Sequence, residues 1–333
     1  MSTVVITFDA RPESREAIAA TLGGVAEVRY LGELSEGERA SALKSADALI
    51  CLNPASDLAE GELDLIANAK LVQLIAAGVD FIPFERLPPG LPVASNAGGW
   101  AEPIAEHVVA MALAAAKRLA PRQAALARGD FNQTGLNLTL RDRVFGVLGY
   151  GGIGRASARL MRGLGMRVHA VNRSGRTDDP VEFVGSADAL SRVLAAADVL
   201  LVATPLTAAT VGLIGAAELA LMKETAIVVN VARGEIIDEA ALYAHLKAHP
   251  DFTACIDAWW VEPIRHGEFR MDQPFLDLPN VIGSPHNSFS IPGAFAGAIG
   301  QAAANVKRVL AGEPPENLVR AVDMPTGRRL NQR

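Results

Sequence analysis

Val144-Phe145-Gly146-Val147-Leu148-Gly149-Tyr150-Gly151-Gly152-Ile153-Gly154-Arg155-Ala156-Ser157-Ala158 is the stretch on which the fold is decided. Its first five residues carry no charge and read as a buried strand, and the run from Ile153 opens a helix. Between them lies GxGxxG on Gly149, Gly151 and Gly154, in the strand–turn–helix setting that gives the motif its meaning. Gly149 permits a tight turn, Gly151 lets the backbone approach a pyrophosphate, and Gly154 lets the helix pack closely on the strand. N–H groups of the first helical turn then face the phosphate charge. A dinucleotide is therefore expected on Gly149, Tyr150, Gly151, Gly152, Ile153 and Gly154.

The end of the next strand speaks to which dinucleotide. A site for NAD wants an acidic residue there, about 20 positions on, to bind the ribose hydroxyls. Here Arg167-Val168-His169-Ala170-Val171 runs into Asn172-Arg173-Ser174. Without the carboxylate there is no repulsion toward a 2′-phosphate, and Arg173 can pair with one. NADP is preferred over NAD on this reading, with Asn172, Arg173 and Ser174 around the ribose.

Outward from the turn, strands and helices alternate on both sides. Before it, strands are expected at Val4–Phe8, Ala26–Tyr30, Ala48–Leu52, Leu71–Ala76 and Leu91–Ala94, with helices over Ser14–Leu22 and Gly61–Asn68. After it, strands are expected at Arg167–Val171, Val199–Ala203, Ala226–Asn230, Thr253–Ile256 and Val281–Gly283. Such alternation implies parallel sheets covered on both faces. Trp100 to Leu119 reads as one long alanine-rich helix with Pro103 in its first turn, where proline is tolerated. A polar loop, Arg128 to Leu140, follows. The last helix, Pro292–Leu310, has one apolar side and is expected to return to the first domain.

The bulk composition fits and excludes several classes. At 333 residues the chain exceeds the usual size of one core, so two domains are expected. The net charge of −6 is interspersed, with no basic block, which argues against a nucleic-acid partner. No stretch approaches the ~20 apolar residues of a membrane span. The start, Met1-Ser2-Thr3-Val4-Val5-Ile6, reads as a strand rather than a secretory signal. Cys51 and Cys255, far apart in apolar runs, read as reduced residues of a cytoplasmic protein. There is no HExxH and no metal site is expected. His107, after Glu106 on the long helix, reads as structural, and His245, His249 and His266 as surface residues.

Three polar residues fall just past strand ends: Arg233 after Ala226–Asn230, Glu262 soon after Thr253–Ile256, and His286 after Val281–Gly283. Ligands of open α/β sheets bind beyond the carboxyl ends of the strands, so the three are expected to share a crevice. With them stand Ala76-Ala77-Gly78-Val79-Asp80, the glycine turn, Thr204-Pro205-Leu206-Thr207, Asn230-Val231-Ala232-Arg233-Gly234-Glu235, Asp257 with Glu262-Pro263, and Pro285-His286. In this order and spacing, over nearly the whole chain, the sequence resembles the D-isomer-specific 2-hydroxyacid dehydrogenases of glyoxylate/hydroxypyruvate reductase type.

The resemblance implies two doubly wound parallel-sheet α/β domains. Residues 1–96 plus 291–333 would form a flavodoxin-like substrate domain, and residues 97–290 an inserted Rossmann domain for the dinucleotide. It implies that His286 exchanges a proton with the substrate oxygen while hydride moves at the adjacent carbon. Glu262 would orient the imidazole and stabilise its charged form. Arg233 would grip the carboxylate of a small 2-oxo or 2-hydroxy acid. Backbone N–H groups of Ala77, Gly78 and Val79 would add to the carboxylate site. Asp257 would take the nicotinamide carboxamide, and Thr204, Pro205, Thr210, Val231 and Ala232 would line the cofactor. A homodimer through the nucleotide domain is implied too, with the long segment after Trp100 and the loop around Phe131 as contacts.

Departures from the family pattern mark specificity. Trp259 and Trp260 replace one smaller aromatic residue, and line the site, meet a subunit or fill core. Asn53, Trp100 and Ser288 are candidates for contact with the substrate. Two alternatives share the scaffold or the fold: a formate or phosphite dehydrogenase, and a cofactor-sensing regulatory protein. Formate enzymes carry glutamine where Glu262 stands, which argues against formate and leaves phosphite open.

Overall fold

The structure is a computed structural model that describes residues 1–320. The chain divides into two compact units, Met1–Trp100 together with the chain from Ile291 onward, and Ala101–Ser290.

The first unit contains β1 (Ser2–Ile6), α1 (Pro12–Leu22), β2 (Ala26–Tyr30), α2 (Glu36–Lys44), β3 (Ala48–Cys51), α3 (Pro54–Asp57), β4 (Leu71–Leu74) and β5 (Val93–Ala94), and is completed by the late helix α11 (Ala294–Leu310). Its sheet has the order β2-β1-β3-β4-β5 with every pair parallel. This is the flavodoxin-like doubly wound order. Strands β3 and β4 are buried at every position, as a sheet covered on both faces requires. The apolar stripe of α11, Ile299, Ala302, Ala303 and Val306, packs with Val4, Ile6, Ile18 and Leu22. Buried Gln73 fixes the register of that return: its Oε1 accepts from Asn305 Nδ2 at 2.7 Å. Beyond α11 the chain pairs once more with the sheet, as an antiparallel bridge between Leu318 and Ala94 that sequence patterning did not foreshadow. The helix expected over Gly61–Asn68 is only a 3-10 turn, Leu63–Ile66.

The second unit contains α4 (Ala101–Ala116), α5 (Leu119–Ala127), β6 (Val144–Leu148), α6 (Gly152–Gly163), β7 (Arg167–Val171), β8 (Phe183–Gly185), α7 (Leu190–Ala196), β9 (Val199–Val202), α8 (Ala216–Ala220), β10 (Ile227–Asn230), α9 (Glu239–Ala248), β11 (Thr253–Ile256), α10 (Pro263–His266) and β12 (Val281–Gly283). The order is β12-β11-β10-β9-β6-β7-β8, again wholly parallel. Chain order reverses between β6 and β9, the switch point of a Rossmann sheet, where ligands of such sheets bind. The long helix expected from Trp100 to Leu119 breaks at Arg118, whose φ of 53° is left-handed, and α5 starts afresh after it. The short edge strand β8 was not anticipated.

At the amino-terminal foot of the sheet, Asp198 accepts from Val144 N (2.8 Å), Arg143 (2.9 Å) and Lys223 (2.9 Å). Burial pushes its carboxyl up, but these donors more than offset that and hold it below the ordinary 3.8. Among the described residues no helix is long and apolar enough to cross a membrane.

Candidate active site

The glycine turn lies at the carboxyl end of β6, against the end of β9. Gly149 has φ 98°, and a Cβ there would stand 2.5 Å from Thr204 N. A Cβ on Gly154 would stand 2.4 Å from Gly149 O, so α6 can approach the turn only without one. At Gly151 a Cβ would meet nothing within 4 Å; the backbone faces open space there, as a phosphate site needs. Gly152 and Ile153 form the first turn of α6. The side chain of Tyr150 is buried and hydrogen-bonds Asp179; burial, then that carboxylate, pushes its hydroxyl up to about 12. Asp179 is also gripped by Arg155 through two 2.9 Å bonds, which ties α6 to the loop after β7.

That loop is organised by Asn172. Its Oδ1 accepts from Gly175 N at 2.7 Å and its Nδ2 donates to Arg176 O at 2.8 Å. Arg173, Ser174 and Arg176 are exposed on it. Arg176, five residues past the strand, adds a second base to this loop that sequence reading did not single out. At the end of β9, Thr210 Oγ1 donates to Pro205 O and accepts from Thr207 N, both at 2.7 Å, so it shapes the Thr204–Thr210 turn. At the end of β10, buried Asn230 takes Ala232 N on Oδ1 and donates to Arg233 O. Asn230 thereby aims the Val231–Arg233 backbone, a part that sequence reading did not assign. Arg233 Nη1 donates to Ala232 O at 2.7 Å.

Glu262 and His286 meet at the ends of β11 and β12. His286 Nδ1 stands 2.8 and 2.9 Å from the two Glu262 oxygens. A carboxylate only accepts, so Nδ1 carries hydrogen and Nε2 is the nitrogen left to exchange a proton. His286 adopts φ 51°, a left-handed conformation for a residue with a Cβ. Burial raises the Glu262 carboxyl, yet the bond and charge of His286, the Trp259 N–H at 2.7 Å and the charge of Arg233 together hold it below 4.5. Arg233, Glu262 and His286 are thus electrostatically coupled. His266 is exposed, as expected, and its Nδ1 accepts from the Glu262 N–H at 2.9 Å, so a surface residue braces the backbone of the site. His245 is half-buried against Phe252, and burial lowers its pKa.

Both tryptophans fill core. Trp259 is buried and donates Nε1–H to Ser284 O at 2.8 Å; Trp260 stacks on Phe275 at 5.1 Å and donates to Ile237 O. Their indole N–H groups thus anchor the segments that carry His286 and Arg233.

Asp257 has no exposure at all. Its Oδ1 accepts from Ser284 Oγ at 2.5 Å and from Asn287 N at 3.3 Å, while its Oδ2 has no partner. His107, read from sequence as structural, lies 3.0 Å through Nε2 from that same Ser284 hydroxyl. Ser288 is buried just beyond. An unpaired buried carboxylate oxygen past the end of β11, with an open glycine turn and the first turn of a helix at the end of β6 in the same sheet, fits a nicotinamide dinucleotide, whose carboxamide offers N–H donors.

In the first unit, the N–H groups of Ala77, Gly78 and Val79 are donated to no acceptor among the described residues, which leaves three successive donors for an anion. Trp100 is buried there, donates Nε1–H to Ile75 O at 2.9 Å and packs edge-on to Phe295, so its ring braces the start of that loop. Asn53 caps α3 by accepting from Ala55 N.

The comparisons with known proteins agree with this architecture. Residues 109–288 match the model of the D-isomer specific 2-hydroxyacid dehydrogenase NAD binding domain. The chain is 31% identical over 307 residues to D-3-phosphoglycerate dehydrogenase of Methanocaldococcus jannaschii, which covers 90% of this chain and 57% of that relative. It therefore spans little more than half of that protein's length. With glyoxylate reductase of Thermococcus gammatolerans it shares 30% identity over 83% of this chain and 84% of the relative. A D-isomer specific 2-hydroxyacid dehydrogenase from Xanthobacter autotrophicus Py2, solved with NADPH and MES, superposes with a TM-score of 0.78 at 27% identity, covering 96% of this chain and 98% of that one. By sequence model, relatives and fold together, the chain belongs to the D-isomer specific 2-hydroxyacid dehydrogenase family.

Proposed function

We propose that the protein is an NAD(P)-dependent oxidoreductase that interconverts a small 2-oxo acid and its D-2-hydroxy acid, working as a reductase of the glyoxylate or hydroxypyruvate type. The observation that carries this is the His286–Glu262 pair, anchored through Nδ1 and coupled to Arg233. When bound, a nicotinamide cofactor would supply the hydride for the carbonyl carbon. His286 Nε2–H then gives its proton to the carbonyl oxygen, completing the alcohol. Glu262 stabilises the imidazolium before transfer and keeps the ring's orientation after it. Arg233 holds the substrate carboxylate and polarises the carbonyl. A formate-type reaction needs no such proton donor, so an ionised Glu262 on His286 speaks for the oxo-acid reading.

NADPH is the preferred reductant on this reading, because Asn172 rather than a carboxylate stands at the end of β7, with Arg173 and Arg176 exposed on the same loop. The resemblance to glyoxylate reductases supports the substrate class. Exposed Leu119, Leu126, Phe131 and Leu136 in the second unit are assigned to contact with a second copy of the chain. The decisive experiment is a panel of 2-oxo acids, including glyoxylate, hydroxypyruvate and phosphohydroxypyruvate, each assayed with NADPH and with NADH. Oxidation of NADPH by one of the small unphosphorylated acids is expected. No turnover with any of them would overturn the reading.

A further inference from the structure

We propose that His107 is a positioning residue for the nicotinamide end of the cofactor: through Ser284 it holds the Asp257 carboxylate so that Oδ2 alone is left to receive the carboxamide. This rests on the reading that the second unit binds a nicotinamide dinucleotide.

Hydrogen-bond accounting fixes the direction of the chain of contacts. The Ser284 hydroxyl has one hydrogen, and the 2.5 Å contact to Asp257 Oδ1 uses it, since a carboxylate has none to give. The 3.0 Å contact with His107 must therefore run the other way, with His107 Nε2–H donating to Ser284 Oγ. His107 thus selects the serine rotamer whose hydrogen points at Asp257. Ser284 and the Asn287 N–H both load Oδ1, and Oδ2 stays bare although it is fully buried. A buried acceptor left unmet is costly, and a primary amide is a ligand that would meet it. Were Ser284 free to turn, the carboxylate would rotate and offer either oxygen.

The fold supplies His107 by local spacing. On α4 it stands three residues after Ile104 and four before Met111, both buried, so it lies on the edge of the packed face. Cys255 Sγ donates to Met111 O at 3.6 Å, so this turn of α4 lies against β11, the strand that ends in Asp257.

The test measures equilibrium binding of NADH and of ADP-ribose, which lacks the nicotinamide, to wild type and to four variants. His107→Leu and Ser284→Ala are expected to weaken NADH about tenfold, the scale of one hydrogen bond, and to leave ADP-ribose unchanged. His107→Gln, which can present an N–H near the position of Nε2, is expected to recover NADH binding to within about twofold of wild type. Asp257→Asn checks the underlying reading and is expected to weaken NADH but not ADP-ribose. Should Asp257→Asn leave NADH unaffected, the carboxamide assignment fails and the proposal with it. Should Asp257→Asn weaken NADH while His107→Leu and Ser284→Ala do not, the role of His107 alone is overturned. Equal loss of NADH and ADP-ribose would also overturn it, because His107 would then merely support the fold. Ser284→Ala leaves α4 untouched and decides the matter if His107→Leu does not fold.

Discussion

At His286 the backbone is held in a left-handed conformation that costs a non-glycine residue about 1 kcal/mol or more, and the neighbours explain why it persists. Two contacts from Nδ1 to Glu262 and one from Asn287 N to Asp257 pin the segment on both sides. That arrangement presents Nε2 as the only exchangeable site of the ring. His286→Gln is therefore expected to lower kcat by about 10²–10⁴-fold while the dissociation constant for NADH, read by fluorescence, stays unchanged. Retained turnover would show that the proton comes from elsewhere. Glu262 also carries a pH signature. Its folded pKa lies below 4.5, so the unfolded chain binds more protons in the window beneath that value. The stability it contributes is complete above 4.5 and is lost as pH falls through the lowered value. Urea midpoints measured from neutral pH to about pH 3 should fall less steeply for Glu262→Gln than for wild type; parallel curves would contradict the assigned electrostatics. Arg233, Glu262 and His286 were legible from sequence because each follows a recognisable strand. His107 and Ser284 were not, since 177 positions separate them and only the packing of α4 on β11 brings them together.

Among the elements, the loop after β7 is where chemistry and local structure are hardest to separate. Asn172 folds the loop through Gly175 N and Arg176 O, and Tyr150, Asp179 and Arg155 tie it to α6. Asn172→Asp keeps the acceptor for Gly175 N, replaces the donor to Arg176 O, and places a negative charge where a 2′-phosphate would lie. It is expected to raise the KM for NADPH about tenfold or more and to lower that for NADH. Arg173→Ala and Arg176→Ala should each raise the KM for NADPH, by about threefold to tenfold, without changing that for NADH. A wild-type enzyme that already favours NADH would refute this use of the loop. Strand positions were readable to within a residue or two wherever four or more apolar residues ran together, as in β3, β9 and β10. The failures have physical causes. β8 has three half-buried residues on an edge and so no periodicity to detect. The break at Arg118 lies within a helix-favouring alanine-rich stretch and depends on one left-handed residue, which no propensity foretells.

The whole molecule is two parallel sheets, each closed over by helices and each with its own switch point, and the first of them uses chain from both ends of the sequence. Alternation made two α/β units readable, but the pairing of Gln73 with Asn305, 232 positions apart, follows only from the packed structure. The second unit carries one more feature of molecular scale. Phe131 and Leu136 are 73% and 87% exposed, with Leu119 and Leu126 also open to solvent. Leu136 lines a hollow of about 390 Å³ together with Arg118, Arg122, Asn132, Pro250 and Ile282. Large apolar side chains concentrated on one element and its following loop mark a surface that water covers poorly. A symmetric partner would place the same patch against itself, which closes the assembly at two copies. Wild type is therefore expected to sediment as a dimer at micromolar concentration. Phe131→Glu combined with Leu136→Glu should shift it toward monomer, because each charge would be buried without a counter-ion at the contact. Since both residues lie on the loop after α5 and neither hydrogen-bonds the glycine turn, ADP-ribose binding should survive in the monomer. A wild-type monomer, or a double variant that remains dimeric, would place the subunit contact elsewhere or remove it.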